Sequence, residues 1–190
     1  YLITLISTLC PDQEKVKRVV ETKELDNLIN YCREHHGMIE YSANWKEDLT
    51  TSEDLRGKEF EPIKWAVDGI IPEGLTVLGG DPKSGKSLVA VDICTAIASG
   101  GIAFGNRKCV EGTCVYVSME DPPRRIQARI KQQSDLWSDK FKLLTRLSCQ
   151  LGDSFYKILD EMMLIWPDLR CIVVDTMQFI IPPKTNNISD

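Results

Sequence analysis

Residues 80–87 read Gly80-Asp81-Pro82-Lys83-Ser84-Gly85-Lys86-Ser87 and match the pattern G-x-x-x-x-G-K-[ST] at every fixed position. An apolar run, Leu75–Leu78, precedes this stretch, and a helical pattern, Ser87–Ser99, follows it. A strand that stops, turns around a phosphate and starts a helix presents backbone N–H groups to the anion. We therefore predict that all eight residues bind nucleotide phosphates, that Lys86 reaches the β- and γ-phosphates, and that Ser87 ligates Mg²⁺.

Strand and helix patterns alternate through the region from residue 62 onward. Runs of β-branched and aromatic residues indicate buried strands, and apolar residues three and four apart indicate helices. Strands separated by helices of about ten residues form βαβ units, whose strands are parallel. We therefore predict an α/β fold with a mostly parallel sheet flanked by helices. The elements predicted after the loop are Thr113–Met119, Pro122–Gln133, Lys142–Leu147, Ser154–Trp166 and Cys171–Val174.

The part of the chain before residue 62 has a different composition and carries no chemistry that a motif identifies. Tyr1–Cys10 is apolar but lacks a basic region and a starting Met, so we interpret it as the start of a fragment. Gln13–His36 has a helical period, and Gly37 fits a C-cap. The predicted division is a helical tail of an upstream domain over residues 1–40, a polar linker over 41–61 and the core over 62–190.

The composition is that of an ordinary folded protein, with 43% hydrophobic and 27% charged residues. No apolar run reaches the roughly 18 residues of a membrane span, so we expect no membrane association. The seven cysteines fit no disulfide framework, which favours reduced thiols and a cytoplasmic protein. The net charge of −5 argues against a generally basic surface that would coat nucleic acid.

A second acidic signal follows the last predicted strand. Asp175 comes directly after Cys171–Val174, which is the Walker B arrangement of apolar residues followed by a carboxylate. A nucleotide hydrolase needs this carboxylate to order the Mg²⁺ shell, and it needs another group to activate water. The residue after Asp175 is Thr176, so the adjacent Glu that activates water in many ATPases is missing from the sequence. The base has to come from elsewhere.

Five stretches together resemble the RepA-like ATPases, a branch of the RecA/DnaB superfamily found in plasmids, phages and integrated elements. The resemblance covers roughly residues 60–182. Its stretches are Pro62–Trp65, Gly74–Gly80, the phosphate loop, Tyr116–Arg125 and Val174–Gln178.

The resemblance implies a RecA-like P-loop core that binds ATP with Mg²⁺ and assembles into a homo-oligomeric ring, often a hexamer. It implies that Lys86, Glu120 and Asp175 form the catalytic set, with Glu120 activating water at the end of its strand. It also implies a helicase or loader that contacts single-stranded DNA in replication or recombination. The family's core continues past the Walker B strand, whereas this chain ends at Asp190. We therefore expect a truncated core that binds nucleotide and turns it over slowly.

Two other functions stay open at this point. One is a regulatory ATP-binding module whose nucleotide state controls a partner without DNA translocation. The other is a small-molecule kinase that shares the phosphate loop. Stimulation of ATP turnover by single-stranded DNA separates the first interpretation from these two.

Three weaker signals accompany the main ones. Residues 122–146 contain seven basic and two acidic residues, a pattern that fits a strip facing DNA or a subunit, or a solvated helix face, which we favour. Cys32-x-x-His35-His36 lacks a second ligand pair, so a helix C-terminus explains it better than a metal site. Gln178 is equally compatible with a sensor of phosphate or DNA and with an ordinary polar residue.

Overall fold

The structure is a computed structural model, and it describes residues 4–9, 46, 49–147, 149, 153–176 and 180. The predicted helix Gln13–His36 lies outside the described residues. So do Cys32, His35, His36 and Gln178, so the interpretations placed on them stay predictions. The division of the chain at residues 40 and 61 also stays a prediction.

In the described residues the chain forms nine strands and four helices. The strands are β1 (Thr4–Leu9), β2 (Trp65–Val67), β3 (Ile71–Pro72), β4 (Gly74–Gly79), β5 (Ile102–Ala103), β6 (Arg107–Lys108), β7 (Thr113–Ser118), β8 (Phe141–Leu144) and β9 (Leu169–Asp175). The helices are α1 (Ser52–Arg56), α2 (Lys86–Ser99), α3 (Pro123–Gln133) and α4 (Asp153–Ile165). None of these four helices is both long and apolar enough to cross a bilayer.

Five of the strands form one sheet in the order β4-β1-β9-β7-β8, and every pair in it is parallel. This confirms the α/β fold with a parallel sheet that the alternation of strands and helices predicts. Because the strands run the same way, β4, β7 and β9 all end at one edge of the sheet. Ser118 at the end of β7 lies directly opposite Asp175 at the end of β9. The phosphate loop follows β4, Glu120 follows β7 and Asp175 ends β9, so all three lie along the same edge.

Strand β1 occupies a place that the sequence analysis did not foresee. It pairs with β4 on one side, where Leu9 lies opposite Gly79, and with β9 on the other, where Ser7 lies opposite Val174. Thr4–Leu9 therefore contributes a strand to the core sheet, and the interpretation of Tyr1–Cys10 as the start of a fragment stays a prediction. The six residues of β1 are too few to carry a periodic signal, and its partners lie far along the chain.

The sheet has an apolar core on each face, because alternate residues of β7 and β9 point to opposite sides. Tyr116 and Val173 face α2 and α3, and Val117 and Val174 face α4. Both central strands are buried along nearly their whole length, which explains their continuous apolar sequence. The structure thus has three layers, with a helix pair, the parallel sheet and a single helix.

Helix α2 is buried on nearly all sides from Ala90 to Ala98. The sequence analysis predicts one apolar face, but the helix contacts the sheet, α3 and the β2 and β5 strands. Small residues make this close packing feasible, since α2 contains three alanines. The helix ends at Gly100, whose left-handed backbone lets its N–H bond the carbonyl of Ala96.

Three buried cysteines meet between α2 and the sheet. Cys94 lies on α2, while Cys114 and Cys171 are paired across β7 and β9, and their Sγ atoms all lie within 4.8 Å of one another. Burial raises the pKa of Cys94 and of Cys114, so both remain protonated thiols at neutral pH. Buried, protonated thiols behave as small apolar groups and are chemically unreactive.

We expect an alkylating reagent such as iodoacetamide to label the folded protein at Cys109 and Cys149 well before it labels the buried cluster. The cluster cysteines have no exposed surface, whereas Cys109 and Cys149 are half-buried. Peptide mass spectrometry over a time course measures the order in which the cysteines are labelled. Labelling of the protein unfolded in guanidinium is the control in which every cysteine reacts. Labelling of Cys94 as fast as Cys109 in the native protein would contradict this packing.

Candidate active site

The phosphate loop joins the end of β4 to the start of α2 and is closed by the side chain of Lys86. The Lys86 Nζ donates hydrogen bonds to the carbonyl oxygens of Gly80 and Asp81, both at 2.8 Å. The Ser84 N–H donates to the Asp81 carbonyl at 3.1 Å, which tightens the turn. The ammonium group is therefore held at the loop by two neutral acceptors, which an anionic phosphate can replace with a stronger, charge-assisted partner.

The loop needs left-handed backbone at two places. Gly85 has φ of 92° directly before α2, a conformation that glycine adopts without steric cost. Lys83 has φ of 64° although it carries a side chain, so the turn imposes this conformation on it. These angles turn the chain from the end of β4 into the start of α2.

The first turn of α2 is arranged to receive an anion. It contains no acidic residue, and Gly85 at the N-cap provides no side-chain acceptor for the first N–H groups. Lys86 and Ser87 are the first two residues of this helix. The helix dipole, the N–H groups and the Lys86 charge therefore act together at one point, as phosphate binding requires.

Asp175 lies at the end of β9 with only 5% of its surface exposed. Its Oδ2 accepts a hydrogen bond from the Tyr116 hydroxyl at 2.5 Å. Burial raises the pKa of Tyr116, and the neighbouring Asp175 charge and hydrogen bond raise it further, so the phenol keeps its proton. The sequence predicts the position of Asp175 from the strand that precedes it, but no local pattern indicates Tyr116 as its partner.

Glu120 follows β7 in a bend, with an exposed side chain. The strand ends at Ser118, one residue earlier than predicted, and the Met119 N–H still donates to the Asp175 carbonyl at 2.8 Å. This bond ties the backbone next to Glu120 to the end of β9. Glu120 therefore leaves the sheet at the same edge as Asp175, as a water-activating residue would have to.

Asp121 is a site residue that the sequence analysis missed. Its carboxylate is 7% exposed and forms ion pairs with Arg125, at 2.6 Å, and with Arg129. Its backbone exchanges two hydrogen bonds with the Ser118 hydroxyl, at 2.9 and 3.2 Å. The turn that carries Glu120 is thus fixed on both sides. The i,i+4 spacing of Asp121 and Arg125 was a signal for this pairing.

The same contacts bear on the basic stretch over residues 122–146. Two of its arginines, Arg125 and Arg129, neutralise Asp121 and so act inside the domain. Lys140 pairs with Glu111 at 2.8 Å and with Asp168 at 3.3 Å. Three of the seven basic residues of this stretch are therefore paired with acidic residues outside it.

A parallel sheet whose strand ends carry this loop, a buried aspartate and a nearby glutamate defines a P-loop nucleotide-binding domain. The family model described as "AAA domain" matches residues 44–190, and the chain belongs to this family of RecA-like P-loop ATPases. In the structure the loop joins the end of β4 to the start of α2.

The chain is also similar to proteins named "DNA repair protein RadA". It is 27% identical over 120 residues to the one from Streptococcus pneumoniae, which is 63% of this chain and 24% of the relative. It is 28% identical over 120 residues to the one from Streptococcus pyogenes serotype M1, which is 63% of this chain and 22% of the relative. The chain therefore spans about a quarter of the length of these relatives. No solved structure gives a significant match.

We expect Asp121→Asn to lower the free energy of unfolding by about 1–3 kcal/mol, because it leaves Arg129, which is 23% exposed, without a countercharge. Urea denaturation measures the difference. Asp135→Asn, at an exposed position after α3, is the matched control and should change little. Equal stability of the two variants would show that the ion pairs of Asp121 do not stabilise the turn.

Proposed function

We propose that this chain binds and hydrolyses ATP with Mg²⁺ as a RepA-type ATPase that acts on DNA in replication or recombination of a mobile element or phage. The observation that carries the proposal is the alignment of three strand ends. It sets the phosphate loop after β4, Glu120 after β7 and Asp175 on β9 along one edge of the parallel sheet.

The donor set suits a magnesium ion. Ser87 offers a hydroxyl oxygen in the first turn of α2, and Asp175 offers a carboxylate at the end of β9. Mg²⁺ prefers oxygen ligands and is commonly held by one or two protein groups together with phosphates and water. When bound, the ion would neutralise charge on the triphosphate. Ser87 would contact the ion, and Asp175 would order its water shell.

Lys86 would act on the triphosphate, and Glu120 would act on the attacking water. Lys86 would move from its loop carbonyls to the β- and γ-phosphates, where its charge stabilises the negative charge that spreads over the transferred group. Glu120 would accept a hydrogen bond from the attacking water and orient it in line with the γ-phosphate. The fixed turn between Ser118 and Asp121 would hold the glutamate in place during this step.

The action on DNA rests on the family and on the relatives' names. RadA proteins are named for DNA repair, and the resemblance to RepA-like ATPases implies a homo-oligomeric ring, often a hexamer, around single-stranded DNA. In such a ring ATP lies between subunits and its hydrolysis moves DNA-contacting loops. A helicase or a loader would use the same cycle, and a regulatory module or a kinase would bind ATP without responding to DNA.

We expect Lys86→Ala to weaken binding of a fluorescent ATP analogue by about 10- to 100-fold, the factor that loss of hydrogen bonds to a charged phosphate predicts. Equilibrium titration by fluorescence anisotropy measures the change. Lys157→Ala, which removes an exposed lysine from α4, is the matched control and should bind as the parent chain does. Equal affinity of the two variants would contradict the proposed phosphate site.

We expect Glu120→Gln to reduce ATP hydrolysis about a hundredfold or more while nucleotide affinity changes little, because the amide cannot accept the proton from water. Single-turnover hydrolysis with and without single-stranded DNA measures both the effect of the substitution on the rate and the dependence of the rate on DNA. Glu161→Gln on the exposed side of α4 removes the same charge away from the site and is the control.

Stimulation of about tenfold by DNA, lost in Glu120→Gln, would support the DNA motor. An equal rate of hydrolysis with and without DNA would reject the helicase and loader roles and favour the regulatory module. Normal hydrolysis by Glu120→Gln would reject the catalytic assignment.

A further inference from the structure

We propose that Tyr116 is a positioning residue for Asp175, whose carboxylate it holds in the orientation needed to order the Mg²⁺ water shell. The inference rests on the proposed function, because that function gives Asp175 its role. Tyr116 does not contact nucleotide in this scheme. It acts through the one hydrogen bond between its hydroxyl and Asp175 Oδ2.

The geometry of the pair is set by the sheet. Tyr116 lies two residues before Ser118 on β7, and Ser118 is the residue opposite Asp175 on β9. Both side chains therefore lie on the α2 face, where Tyr116 has no exposed surface. Its ring stacks on Phe141 with centroids 6.2 Å apart and an interplanar angle of 19°. The neighbouring strand thus fixes the ring, and the ring fixes the hydroxyl.

The direction of the hydrogen bond is also fixed. A carboxylate only accepts hydrogen bonds, and a protonated phenol is the donor. The buried surroundings and the charge of Asp175 keep the proton on Tyr116. Arg129, which is paired with Asp121, is the nearby positive charge that opposes this effect. The contact is therefore a charge-assisted hydrogen bond in a water-poor site, where such bonds are strong.

A carboxylate at the end of a strand needs this support. The terminal torsion of an aspartate has a broad energy profile, so packing alone leaves the plane of the two oxygens poorly defined. A group that orders metal-bound water has to be held within about 0.5 Å of its working position. With Oδ2 bound to Tyr116, the plane of the carboxylate and the direction of Oδ1 are determined.

Tyr116→Phe tests this directly, because phenylalanine fills the same space and stacks on Phe141 but has no hydroxyl. The matched control is Tyr156→Phe, which removes a hydroxyl from α4 on the opposite face of the sheet. Asp175→Asn and the double variant Tyr116→Phe/Asp175→Asn complete the set. All are made in the full chain.

The first readout is the affinity for a non-hydrolysable ATP analogue, titrated with Mg²⁺. We expect Tyr116→Phe to leave the affinity for the analogue unchanged in the absence of Mg²⁺. The Mg²⁺ concentration that gives half of the maximal increase in affinity should rise about five- to tenfold. The second readout needs no nucleotide. Tyr116→Phe should lower the unfolding midpoint in the parent chain but have a smaller effect in Asp175→Asn, whose amide oxygen accepts the Tyr116 hydroxyl without a charge, and Tyr156→Phe should show no such coupling.

The outcomes separate the inference from the function on which it rests. If the parent chain binds no nucleotide with Mg²⁺, the proposed function fails. If the parent chain responds to Mg²⁺ and Tyr116→Phe responds identically, the function stands and the positioning role is wrong. An equal loss of affinity with and without Mg²⁺, or unfolding effects that simply add, would assign Tyr116 a structural role and overturn the inference.

Discussion

The pairing of β7 with β9 is the constraint on which the rest of the domain depends. Its register puts Ser118 opposite Asp175, and the Met119 N–H extends the ladder one step beyond β7. A shift of one residue would turn every side chain of β7 to the other face of the sheet. Tyr116 would then leave α2 and its hydroxyl would lose Asp175. The site therefore depends on a backbone register as much as on the residues that form it.

The two buried aspartates at this edge are satisfied in different ways. Asp121 is neutralised by Arg125 and Arg129, whereas Asp175 receives a neutral hydroxyl from Tyr116. A carboxylate paired with two arginines has little attraction left for a cation, and it fixes a turn instead. The Tyr116 hydroxyl orients the Asp175 carboxylate but brings no charge to it.

Local patterns in the sequence predicted the elements that carry the site. The loop has its glycines and Lys86, α2 has a run of helix-forming and apolar residues, and β7 and β9 have continuous apolar runs. Each of these signals lies within a few adjacent residues, so a single stretch of sequence reveals it. The pairing of Tyr116 with Asp175 joins residues 59 positions apart and leaves no local trace. The same is true of β1, whose partners lie in distant parts of the chain. The short β2–β3 and β5–β6 hairpins were missed because strands of two or three residues show no period.

The position of β1 between β4 and β9 has a consequence for the way the chain folds. Thr4 pairs with Gly74 on one side and with Cys171 on the other, so this strand leaves the ribosome long before either partner exists. The βα units built around α2 and α3 join stretches that are closer in sequence, whereas β1 pairs only with strands much further along the chain. Contacts between such distant residues pay their loop-closure entropy before they gain any stability. The part of the sheet that carries the phosphate loop and Asp175 is therefore held together by contacts of long sequence separation.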